Sequence, residues 1–172
     1  MPSDFFGDLR GPLKIELTRL LATLAKDKDN YGFALAVPND YGSAFFVYAV
    51  GKESTLANDS LDCRYSPVEW TPSWMPLADA NDALQGAVER FSAEYEGVAD
   101  AAEQEQMHDQ FVTDCATACL EVLQECGDEG LFGCIWYKVL DMSDDEHPVV
   151  AEAFRRLNSG RARSEAAPLF DY

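Results

Sequence analysis

The chain has 172 residues, the length of one domain. Its 47% apolar, 26% charged and 12% aromatic content is globular and excludes disorder, a collagen repeat and a disulfide mini-protein. Thirteen basic against 31 acidic residues leave a net charge of −18, which argues against nucleic acid and anionic membranes as partners.

Residues 3–28 are expected to be helical. Ser3 or Asp4 can cap the start, and Leu13, Leu17, Leu20, Leu21 and Leu24 make one apolar stripe. Pro12 suits a first turn, so the firm helix is expected to begin near it. Strands are expected at 31–37 and 44–50, joined by the turn chemistry of 38–42 as an antiparallel hairpin. Residues 51–62 are polar, with room for one helical turn. Residues 64–70 read as a third strand, placed at an edge or bulge by Pro67. The proline-rich stretch 71–76 reads as a linker.

Helical patterning returns at 79–95, with Ala80, Leu84, Ala87, Val88 and Phe91 on one side. A longer helix is expected over 99–126, ended by Gly127. Residues 131–140 read as a strand. Residues 147–158 read as a last helix, with Pro148 in its first turn and the acids 144–146 favouring its N-terminus. Residues 160–172 read as a tail. Strands cluster rather than alternate with helices. The expected fold is therefore α+β, a single domain over 1–172 with a mostly antiparallel sheet of about four strands covered by helices on one face. The expected sheet core is Phe33, Leu35, Phe46, Tyr48, Ile135, Tyr137 and Val139.

The charge is unevenly spread. Residues 1–30 net zero, 31–75 net −3, 76–129 net −13 and 130–172 net −2. Solubility alone does not require that concentration. A single-sign face costs self-repulsion and is useful for steering a complementary surface. The plainer reading is a solvated helix face.

Catalytic and metal signals are weak. Cys115, Cys119 and Cys126 share a helix with His108, but Cys115 and Cys126 lie roughly 16 Å apart along it and cannot hold one ion. That stripe reads as core. Five cysteines and no basic or apolar leader at Met1-Pro2-Ser3-Asp4 fit a reducing cytoplasm. No run approaches the ~18 apolar residues of a membrane span. No phosphate loop or nucleophile elbow occurs. Trp70 and Trp74 either seal the edge of the core or offer a partner pocket.

Tyr31-Gly32-Phe33-Ala34-Leu35, then Arg64-Tyr65-Ser66-Pro67-Val68-Glu69-Trp70, then Phe154-Arg155-Arg156-Leu157-Asn158 form a series. It resembles a bacterial family of uncharacterised cytoplasmic α+β domains, over about residues 5–160. The Ser-Pro-x-Glu-Trp element is the most specific part. The family looks similar in style to small acidic domains found beside toxin genes, which bind a toxin and block it. The resemblance carries over no catalytic residue, metal or cofactor.

The expected function is an immunity or antitoxin-like protein that occludes a basic partner, a toxin encoded nearby. Glu94, Glu96, Asp100, Glu103, Glu105 and Asp109 would steer it, and Trp70 and Trp74 would hold it. Two alternatives stand beside this reading. One is a small enzyme using Cys134, or Cys63, with a histidine, or a carboxylate pair. The other is an acidic interaction module, or a homodimer, using the aromatic segment 65–75.

Overall fold

The structure is a computed structural model describing residues 5–38, 40–70, 74–143 and 146–170. The leucine stripe forms α1 (Arg10–Leu24), which buries Leu13, Leu17 and Leu21. It starts two residues before Pro12, so the proline still sits in the first turn, where its missing N–H costs nothing. The caps expected at Ser3 and Asp4 fall outside the described residues. Strand β1 (Asn30–Ala36) follows, then β2 (Val47–Lys52), paired antiparallel with Phe33 opposite Val50 and Leu35 opposite Tyr48. The strand expected at 44–50 thus begins three residues later. Asn81 holds Phe46 instead: its side-chain amide accepts from the Phe46 N–H at 2.5 Å and donates to the Phe46 carbonyl at 3.0 Å.

The strand expected over 64–70 is not one. The segment folds as the end of α2 (Leu61–Tyr65) and a 3-10 turn, Pro67–Glu69. Ser60 caps α2 by accepting from the Cys63 N–H. The carbonyls of Arg64 and Tyr65 go to side chains, not to a neighbouring strand. Tyr31 and Trp70 both donate to the Arg64 carbonyl (2.8 and 3.1 Å), and Tyr137 donates to that of Tyr65 (2.8 Å). The third strand is instead β3 (Met75–Pro76), antiparallel to β2 at a sheet edge, where proline is tolerated. It lies within the stretch read as a linker, of which 71–73 are outside the described residues.

Helices α3 (Ala78–Tyr95) and α4 (Ala101–Asp128) come next. Helix α4 runs through Gly127. Its cap is at Gly130, which takes φ +71°, with the Leu131 N–H bonded to the Cys126 carbonyl and the Gly130 N–H to that of Gly127. This paired pattern needs a left-handed residue one step past the helix, which glycine takes without strain. Strand β4 (Tyr137–Asp141) is shorter than the run expected at 131–140 and lies parallel to β1. The crossover through α3 and α4 is long enough to permit that parallel pair. Helix α5 (Pro148–Leu157) is capped by His147. The expected tail contains a further helix, α6 (Gly160–Ala166).

The sheet order is β3-β2-β1-β4, mostly antiparallel, in one α+β domain. Both faces are covered, not one. Phe33, Leu35, Phe46 and Ile135 pack with α1, α3, α4 and α5. Tyr137 and Val139 point the other way, into a second cluster with Tyr31, Tyr65, Trp70, Phe154 and the two alanines of α6. Tyr48 is only half-buried. Asn158, just after α5, bonds both backbone groups of Lys138 (2.8 and 2.7 Å), so its side chain serves as a strand neighbour for part of the outer edge of β4. Among the described residues no helix is long and apolar enough to cross a membrane.

Candidate functional site

Ten of the fourteen acids of the −13 segment fall into two groups once folded. Asp79, Glu121, Glu125 and Glu129 face the bases of α1. Arg10 meets Glu121 at 2.7 Å, Lys14 meets Glu129 at 2.9 Å and Glu125 at 3.7 Å, and Arg19 meets Asp79 at 3.2 Å. These acids therefore help hold α1 against α3 and α4. Arg90, the one base of the segment, donates to the Phe5 carbonyl at 2.9 Å and lies 3.9 Å from Asp8.

The other part is the end of the α3–α4 hairpin. Glu94, Glu96, Asp100, Glu103, Glu105 and Asp109 are all exposed. No lysine or arginine occurs between 94 and 109. Among the described residues, Glu96, Asp100, Glu103, Glu105 and Asp109 make no ion pair with lysine or arginine. Asp100 also has a local task, capping α4 by accepting from the N–H groups of Ala102 and Glu103. The first fully buried residue of α4 is Phe111. The ten residues before it, roughly 15 Å of helix, run along or beyond the rim of the core. Tyr41 anchors the hairpin's base, with its ring against Phe91 (4.9 Å), Tyr95 (5.1 Å) and Phe111 (6.4 Å).

The tryptophans lie elsewhere. Trp70 is 5% exposed and belongs to the second cluster, so it seals the core and has no face to give a partner. Its indole covers β1 so closely that a Cβ on Gly32 would sit 2.7 Å from the ring. Trp74 is half-buried against the same cluster. The two tryptophans thus pack in the second cluster, while Tyr95 and Met107 of the acidic hairpin pack against the first.

Around Trp70 lies a network that sequence reasoning treated as a strand. Arg64, with its side chain 7% exposed, forks onto Glu53 (2.6 and 3.0 Å), meets Asp59 at 2.5 Å and lies over the Tyr31 ring at 5.0 Å. Its hydrogen bonds to Glu53, outweighing burial, hold this guanidinium well above its usual range. Tyr65 donates to the Glu165 carboxylate, which also takes Arg161 at 2.8 Å, and Arg161 lies over Trp136 at 4.9 Å. Burial first, then the bond to Glu165, pushes Tyr65 up to about 12. The bond from Tyr65, then that from Arg161, holds Glu165 below its usual range. Every charge here has an opposite charge beside it. The motif residues Tyr31, Tyr65, Trp70 and Asn158 thus act as structural ties.

The remaining candidates also have local partners. The Cys134 thiol faces the carbonyls of Ala25 (3.0 Å) and Asp27 (3.2 Å). Cys115 and Cys119 are buried in the core, and burial first, then the neighbouring Cys115, drives Cys119 well above the usual thiol range. Burial pushes Cys126 up to about 11. These are the surroundings of inert thiols. Cys63 is half-buried in α2. His147 accepts from the Val149 N–H and faces the Thr113 hydroxyl, both at 3.3 Å. His108 lies 3.5 Å from Asp109. Among the described residues no group of three or more His, Cys, Asp or Glu is placed to hold a metal ion. The acids at 144 and 145 are outside the described residues.

One surface was not anticipated. A groove of about 460 Å³ runs between α3 and the loop at 41–46, lined by Tyr41, Ala44, Phe45, Gln85, Val88 and Ser92. Phe45 is 51% exposed there. Beside it, Asp82, Glu89 and Glu96 are spaced seven apart, two along one face of α3 and the third at its C-cap.

Comparison with known proteins places the chain by sequence alone. No curated protein and no solved structure matches it. Residues 13–159 match a family described as a domain of unknown function, DUF4303, and the chain belongs to that family.

Proposed function

We propose that this chain is an immunity-type protein of the bacterial cytoplasm, which binds a basic toxin or effector and occludes its working surface. The observation that carries the reading is the end of the α3–α4 hairpin. Six exposed acids line this end, whose sequence over 94–109 holds no lysine or arginine, while Asp79, Glu121 and Glu129 nearer the core are paired with bases of α1. Fixed like charges at one end of a molecule cost self-repulsion, and that cost is returned when an oppositely charged surface docks. The field speeds encounter and selects basic partners. Short-range contacts then hold the complex.

The test is neutralisation. The basic product of the adjacent gene is expressed with this chain, either wild type or with Glu103→Lys, Glu105→Lys and Asp109→Lys together. The wild type is expected to protect the cell and to retain the partner at low salt but less at high salt. The triple variant is expected to fold and to lose protection. Equal protection by both proteins contradicts the reading.

A further inference from the structure

We infer that the groove between α3 and the loop at 41–46 receives a basic amphipathic helix of the partner. The inference deepens the acidic-docking reading and rests on it. Three features of the groove argue for this occupant.

The first is a matched charge row. Asp82, Glu89 and Glu96 are exposed and spaced seven residues apart, so Asp82 and Glu89 lie along one line of α3 that Glu96, its C-cap, continues. Gln85, Val88 and Ser92, which line the groove, sit on the adjoining strip of the same helix. A helix with lysine or arginine every seventh residue presents the complementary row at the same pitch. The second is an apolar seat. Phe45 is half-exposed on the opposite wall and Val88 is half-buried below it, so an aliphatic side chain between them would leave water. The third is rigidity. The loop is tied to α3 at three points: the Tyr41 ring on Phe91, the Gln85 amide donating to the Ala44 carbonyl at 3.0 Å, and the two-point Asn81 clamp on Phe46. A wall fixed before binding loses little entropy on binding.

The probe is a synthetic helix of about 18 residues, roughly five turns, with lysine at heptad spacing beside a leucine stripe. A scrambled peptide of the same composition is the control. Amide chemical shifts of the full chain are followed at low salt. The expected result is binding of the patterned helix about tenfold or more tighter than the scramble, with shifts concentrated at 41–46 and 82–96. Phe45→Ala, a change at an exposed site, and Glu89→Lys are each expected to weaken it about tenfold with unchanged thermal unfolding. Equal affinity for the scramble, or no effect of Phe45→Ala, overturns the inference. Shifts centred on Glu103, Glu105 and Asp109 overturn it too but leave the acidic-docking reading standing. No binding of either peptide overturns the groove, and the neutralisation experiment then decides the broader reading separately.

Discussion

Arg64 and the end of the α3–α4 hairpin use charge in opposite ways. Arg64 is almost fully covered and has Glu53, Asp59 and the face of Tyr31 around it. The hairpin carries six exposed acids over 94–109 with no lysine or arginine in that stretch. In the first region each charge is satisfied inside the fold, so its removal is felt as lost stability. In the second, Glu96, Glu103, Glu105 and Asp109 meet no lysine or arginine among the described residues, so their removal should be felt in association. Net charge alone does not separate the two regions; pairing does.

The sharpest way to break the comparison is through the paired region. Trp70→Ala empties a buried site over β1 and is expected to cost about 3–5 kcal/mol, read by urea unfolding. Gly32→Ala drives a Cβ into the same indole and is expected to cost about 1–3 kcal/mol. Arg64→Met leaves Glu53 and Asp59 without their cation. Both carboxylates are well exposed and regain water, so the expected loss is about 2 kcal/mol, below that of a fully buried pair.

The pH dependence sharpens it further. Tyr65 has its folded pKa raised to about 12 from the usual 10.0, so its contribution is complete below pH 10 and is lost as pH climbs through 12. Glu165 has its folded pKa lowered from 4.5, so its contribution is complete above that value and is lost as pH falls below it. Unfolding midpoints should therefore form a plateau between these limits. Tyr65→Phe should lower the plateau and make both flanks shallower. Tyr31 and Tyr137, both raised mainly by burial, keep some alkaline dependence. Equal flanks in the variant would remove the Tyr65–Glu165 bond from the account.

The smallest stability effect belongs to the hairpin. Glu103→Lys, Glu105→Lys and Asp109→Lys together should move stability by only about 0.5 kcal/mol, because all three are exposed and none meets a lysine or arginine among the described residues. A larger loss would mean that these acids hold the structure together and would place them with Arg64.

Much of the fold was legible from periodicity. The leucine stripe of α1, the apolar run of β1 and the helical patterns of α3 to α5 are strong because each buries one continuous face. The failures came where local pattern and tertiary contact part company. Residues 64–70 alternate too loosely to decide, with Tyr65 and Trp70 buried but Val68 69% exposed, and the segment's helix end depends on tertiary bonds such as those from Tyr31 and Tyr137 on distant strands. Helix α6 buries only Ala162 and Ala166, an apolar signal too small to see. Gly127 was the nearer cap glycine in sequence, but Gly130 satisfies the last carbonyls. For the site, the acid excess was visible in the sequence, while its division by the bases of α1 was not. The Phe45 groove escaped notice because its two walls lie some forty residues apart.

The most direct measurement is the association rate with a basic partner as a function of salt. The account predicts a steep fall with rising ionic strength for the wild type. It predicts association slower by about tenfold or more at low salt for the triple hairpin variant, with unfolding unchanged. Equal rates for the two proteins across the salt range would show that the hairpin charge steers nothing, and the docking account would fail.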